Sequence, residues 1–168
     1  MKNLLTIRDA DVGVQTPLPT TQQERRASRS VIFDAEGNIA LLHATKKNFH
    51  KLPGGGIEDY EGIEQALRRE VLEEIGCEIT NIRELGSIEE YRQRFALRQI
   101  SYCFIADLAG AKGRPQLTED EVSDGFETVW LILDNAIETI EREAPVEDYE
   151  GKFIQLRDLI FLKTAREL

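Results

Sequence analysis

Cysteine is scarce in this 168-residue chain, which has only Cys77 and Cys103. Two thiols build no disulfide framework, and a cytoplasmic setting fits that usage best. Histidine is equally scarce. His43 ends an expected strand and His50 follows in a loop, so neither has the spacing of a zinc-binding helix; both read as structural or solvent-facing. No apolar run approaches the ~20 residues that a membrane helix needs. The opening MKNLLTIRDADV lacks the long apolar core of a signal peptide. Long repeats and low-complexity tracts are absent. Positive charge is also short: 21 Lys and Arg face 31 Asp and Glu, a formal net charge of -10. Such a surface repels nucleic acid and anionic membrane. It still admits a small phosphorylated ligand if metal and local arginines screen it.

What is present is enough to build a core. Hydrophobic residues make up 41% of the chain, and its length suits one domain. Residues 1–26 read as a peripheral N-terminal arm in which Leu4, Leu5 and Ile7 could seed a short strand, with Pro17 and Pro19 ending regular structure. The arm could pack on its own domain or on a second copy, so a homodimer stays open. Residues 27–168 form the main domain. Ser28–Phe33 and Ile39–His43 read as strands joined by a loop of turn formers. Ile79–Glu90, Arg98–Leu108 and Thr128–Leu133 follow as strands, the last two as buried ones. Gly110–Gly125 reads as a polar acidic loop. Helices are expected at Ile63–Ile75, Asn135–Arg142 and Glu150–Arg166, with Gly76 as the left-handed stop of the first. This order implies an α/β fold, a mixed sheet with helices on both faces.

The chemistry concentrates in GGIEDYEGIEQALRREVLEEIGC, Gly55 to Cys77. At 100° per residue Glu70, Glu73 and Glu74 fall within about 100° of arc, continuing the face that Ile63, Ala66 and Leu67 begin. Val71, Leu72 and Ile75 supply a second apolar side. Carboxylates directed towards a cleft must be paired or bind metal. Gly54–Gly56, just before the helix, let backbone carbonyls approach the same cation. Mg2+ or Mn2+ suits such a site, since it takes oxygen ligands, keeps some waters and is often completed by substrate phosphates. Three basic groups could clamp phosphate: Arg25, Arg26 and Arg29; Arg92, Arg94 and Arg98; Lys46, Lys47 and Lys51. From these Arg29, Lys51 and Arg98 are the chosen substrate-binding candidates. Phe49, Tyr91 and Phe95 could stack on a base, although packing is their default role.

These residues resemble the Nudix box. Gly55, Glu61, Arg69, Glu70, Val71, Glu73, Glu74 and Gly76 fit its pattern of glycine, five residues, glutamate, seven residues, then Arg-Glu-aliphatic-any-Glu-Glu-any-Gly-aliphatic. Cys77 fills the last aliphatic slot, and Tyr60 stands where many members have glycine. The resemblance implies an α/β/α sandwich and hydrolysis of a nucleoside diphosphate linked to another moiety X, such as a nucleoside triphosphate or a nucleotide sugar. It implies Glu70, Glu73 and Glu74 as metal ligands with the Gly55 carbonyl nearby, Glu70 as candidate base, and Glu61–Arg69 as the supporting ion pair. A further acidic residue often comes from a later loop; Glu121 is the first choice, ahead of Glu119, Asp120 and Glu127. No proline occurs between Cys77 and Gly113, which weighs against an ADP-ribose type of substrate. The main alternative is a binding module that senses a nucleotide without turnover, although such modules usually lose box carboxylates. A Nudix-type isomerase, which would need a pocket cysteine, is a third.

Overall fold

The longest apolar stretches are buried on both faces, which explains their near-continuous hydrophobicity. In the computed structural model, which describes residues 1–19, 21–143 and 148–168, they form the middle of a seven-stranded mixed sheet. Its strands are β1 (Asn3–Arg8), β2 (Gln23–Phe33), β3 (Asn38–Ala44), β4 (Phe49–Lys51), β5 (Glu78–Arg92), β6 (Leu97–Ala109) and β7 (Phe126–Ile132). The order is β1-β5-β6-β2-β3-β4, with β7 also paired to β3. β1 runs parallel to β5, and β2 runs parallel to β6; the β5–β6, β3–β4 and β3–β7 pairs are antiparallel. The helices are α1 (Ile63–Ile75), α2 (Glu119–Asp124), α3 (Leu133–Arg142) and α4 (Tyr149–Arg166).

Alternation along the strands divides the core in two. Val31, Ile39, Leu41, Cys103 and Ile105 pack against α3 and α4 through Ile137, Ile140, Phe153, Phe161 and Leu162. Their neighbours Ile32, Ala40, Leu42, Phe104 and Ala106 pack on the other face against Leu67, Val71 and Ile75 of α1. Cys77 lies in this second cluster, 2% exposed, as a small apolar filler. Among the described residues no helix is long and apolar enough to cross a membrane.

Several elements depart from expectation. The short strand expected around Leu4, Leu5 and Ile7 does form, as β1, but it joins the sheet and is not peripheral: Leu5–Arg8 pair with Ile88–Tyr91, and Ile7 is fully buried. Thr128–Leu133, expected as a buried strand, corresponds to β7, which is only half-buried. Among the described residues it pairs only with β3 and so lies at a sheet margin. Leu72, expected on an apolar side of α1, is 46% exposed. It falls about 200° around the helix from Glu70, on the face turned from the sheet. The expected loop Gly110–Gly125 contains α2. Its start is set by Thr118, whose hydroxyl accepts from the Glu121 N–H while the Glu121 carboxylate accepts from the Thr118 N–H at 2.8 Å.

Candidate active site

The site begins with the glycine turn, which lies against β2 like an extra strand. The Ser28 N–H donates to the Gly55 carbonyl at 2.9 Å, the Ser30 N–H to that of Pro53 at 3.1 Å, and the Ile57 N–H to that of Arg26 at 2.9 Å. Gly54 has φ of 130°, and a β-carbon there would sit 2.1 Å from the Ser28 carbonyl oxygen. Only glycine allows that approach. A β-carbon on Gly55 would meet the Glu70 carboxylate at 2.3 Å. The turn and the acidic face of α1 are therefore in direct apposition.

Arg69 fixes the carboxylates. Its Nε and Nη2 donate to Glu61 Oε1 and Oε2 at 2.9 and 3.0 Å, a bidentate pair. Nη2 also donates to the Gly56 carbonyl at 3.0 Å, and Nη1 donates to Glu70 Oε1 at 2.8 Å and Glu73 Oε2 at 3.1 Å. Hydrogen bonds from Arg69 hold the Glu61 carboxyl below its ordinary value, against the opposing effect of burial. One guanidinium thus joins the loop, the turn and two acidic side chains.

The three glutamates occupy three environments. The Glu73 side chain is 43% exposed, Glu70 13% and Glu74 2%. Both Glu74 oxygens are engaged: Oε1 accepts from Lys51 Nζ at 2.8 Å and Oε2 from the Gly54 N–H at 2.5 Å. Burial raises the Glu74 pKa, with Lys51 opposing. Glu74 therefore braces the glycine turn, and all three glutamates line the cleft, Glu74 as its most buried member.

That cleft has a volume of about 550 Å³. Arg25, Arg29 and Lys51 face the carboxylates across it, and Glu121 closes another side. The later loop reaches the cleft because the Gln116 N–H donates to the Glu73 carbonyl at 2.6 Å, near the end of α1. Gln116 and Thr118 also line the site and were not singled out from sequence. The Thr-x-x-Glu pattern at Thr118–Glu121 was a legible helix-start signal.

Other candidates lie elsewhere. Arg98 does not line the cleft; its guanidinium is held by Glu24 and Glu89. Arg92 is buried between Glu90 and Glu150, and Arg94 lies over the Tyr149 ring. His43 and His50 stack on each other, and His50 pairs with Glu143, so both histidines have structural roles. Cys103 is fully buried and its thiol pKa is raised by burial, which removes it as a pocket acid.

Among the described residues no three histidine, cysteine or acidic side chains converge as a ready metal cage. Arg69 engages one oxygen each of Glu70 and Glu73, leaving the second oxygen of each outside that ion pair. Two carboxylates with free oxygens beside an open cleft fit magnesium-type coordination, in which one or two carboxylates are supplemented by waters and substrate phosphates.

Comparison with known proteins agrees with this geometry. A NUDIX domain profile matches residues 23–155. The chain belongs to the NUDIX family. Over 62 residues it is 39% identical to an 8-oxo-dGTP diphosphatase of Proteus vulgaris, a match covering 34% of this chain and 55% of that protein. The chain thus spans about half the length of this curated relative. The fold resembles that of a MutT NUDIX hydrolase from Burkholderia pseudomallei, with a TM-score of 0.57 and 20% identity, covering 81% of this chain and 98% of that one. It also resembles the E. coli ORF135 protein, with a TM-score of 0.59 and 19% identity, covering 91% and 95%. The NUDIX glycine turn, ion pair and acidic helix are thus set in a NUDIX-type α/β/α fold.

Proposed function

We propose that this NUDIX protein is a Mg2+- or Mn2+-dependent pyrophosphohydrolase acting on a nucleoside diphosphate linked to a further group. A nucleoside triphosphate is the favoured type, because the matched Proteus vulgaris protein is named for such a substrate. The observation that carries this reading is the Arg69 hub, which fixes Glu70 and Glu73 on the cleft wall opposite Arg25, Arg29 and Lys51.

Glu70 and Glu73 are the residues that would hold the cation. When bound there, a divalent ion neutralises phosphate charge and lowers the pKa of water. Arg25, Arg29 and Lys51 would bind and orient the phosphates. The Glu70 carboxylate would accept the proton of the attacking water. Glu121, its Oε2 held by Thr118, is a second acidic group at the cleft. Glu61 supports without touching substrate, by holding Arg69.

The test is a screen of nucleoside diphosphate derivatives with Mg2+, reading products by mass. Cleavage of one of them within its P–O–P linkage, lost on chelation, is expected. Tight nucleotide binding without any cleavage would instead identify a sensing module.

A further inference from the structure

A second cavity of about 190 Å³ adjoins the carboxylate cleft, and Arg25, Arg29 and Lys51 line both. Its other walls include Phe49, Phe126 and Arg157 of α4. Arg29 is 5% exposed and Arg157 fully buried. Arg29 Nε and Nη1, and Arg157 Nη1 and Nη2, have no hydrogen-bond partner among the described residues. Buried guanidinium donors without acceptors are costly to the fold.

Three acids, Asp124, Asp148 and Glu150, also line this cavity, and each has one oxygen already engaged. Asp124 pairs with Lys47 at 2.7 Å, Glu150 with Arg92 at 2.6 Å, and Asp148 caps α4 by accepting from the Gly151 N–H at 3.2 Å. Asp158 takes Arg157 Nε at 2.7 Å and the Leu52 N–H at 2.8 Å, and Glu90 approaches Arg157 Nη1 only to 3.7 Å. Burial pushes the Arg29 pKa down to about 10, so this group is still cationic near neutrality. Two buried cationic forks with unpartnered donors thus belong to the walls of a cavity that shares Arg25, Arg29 and Lys51 with the carboxylate cleft.

We propose that this cavity binds an anionic group, phosphate or carboxylate, that the substrate carries beyond the diphosphate that is cleaved. Arg29 and Arg157 are its donors, and Arg25 stands at the junction with the cleft. The inference rests on reading the neighbouring cleft as a pyrophosphohydrolase site. It selects substrates with a third charged group, a triphosphate or a nucleotide joined to a phosphorylated or carboxylated moiety, over one joined to a neutral sugar.

The experiment is titration of the metal-free protein, in chelator, with inorganic phosphate and separately with acetate, followed by calorimetry. Arg25, Arg29 and Lys51 line both spaces, whereas Ile154 lines only the second cavity, so the loss of binding in an Ile154 variant locates the anion there. Saturable binding of one anion is expected, and which one binds separates the two sources. Binding should fall at least about tenfold in Arg29→Met, a change of the size expected for a lost charge-assisted contact. Because that variant alters a buried position, Ile154→Glu provides a second one. Ile154 is half-buried on the cavity wall, and a tethered carboxylate there should displace the free anion while leaving the fold folded. Glu73→Gln should keep metal-free binding. No anion binding by the wild type, or unchanged binding in a folded Ile154→Glu, overturns the proposal. Mg2+-dependent turnover without metal-free anion binding overturns it alone. Anion binding lost in Ile154→Glu, in a protein that cleaves no anhydride, overturns the hydrolase reading alone.

Discussion

Glu61 and Arg69, eight residues apart, meet through two parallel hydrogen bonds of 2.9 and 3.0 Å. Glu61 lies just before the α1 N-cap at Gly62, so the loop doubles back along the first turns of the helix. The remaining guanidinium donors reach Gly56, Glu70 and Glu73. The ion pair therefore sets the position of the acidic side chains at the cleft.

Its pH signature follows. The folded-state pKa of Glu61 lies below the ordinary 4.5. A depressed carboxyl stabilises the fold above its unfolded pKa and loses that contribution as pH falls through the folded value. Near neutrality Glu61→Gln should cost about 1–3 kcal/mol, as expected for a partly buried charged hydrogen bond. Urea melts of both proteins should converge as pH drops below 4.5. A gap that is the same at all pH values would assign the loss to packing.

Glu73 is the most exposed of the three helix carboxylates, so its replacement should spare the fold. Glu73→Gln should lower Mg2+-dependent turnover by about 100-fold or more, with an unchanged circular dichroism spectrum. Glu121→Gln should lower turnover with little effect on nucleotide binding. A wild-type rate would remove Glu121 from the site.

The glycine turn makes a graded prediction. Gly54→Ala places a β-carbon against the Ser28 carbonyl, whereas Gly13→Ala, also at positive φ, meets nothing within 4 Å. Gly13→Ala should cost about 1 kcal/mol, and Gly54→Ala more than twice that, because the turn must leave β2. Equal losses in thermal melts would mean that close approach is not what selects glycine at position 54.

Tyr60 has φ of 67° and is fully exposed, so it carries left-handed strain without compensating burial. Tyr60→Gly should stabilise the protein by up to about 1 kcal/mol, after the greater unfolded-state entropy of glycine is subtracted. A lower melting temperature would show that the ring makes a contact that matters.

Much of this site was legible because it is local. The 3.6-residue period, the Gly76 stop and the clustering of Glu70, Glu73 and Glu74 all lie within one helix and its flanks. The grading of the three glutamates was not legible: it depends on Lys51, on a short strand, and on Arg69 choosing between neighbours. Nor was the second cavity. Arg29 and Arg157 are 128 positions apart in the chain, and no local pattern shows that β2 and α4 bury two arginines together. Arg98 misled for the same reason. Its charge is visible in sequence, whereas Glu24 and Glu89, which hold it, come from other strands.

The most direct test is product analysis by mass during turnover of a nucleoside triphosphate, with Mg2+ titrated into wild type and Glu73→Gln. Cleavage within the triphosphate should saturate with Mg2+ in the wild type and be nearly absent in the variant. Equal cleavage by both proteins, or cleavage that persists in chelator, would contradict a cation held by Glu70 and Glu73.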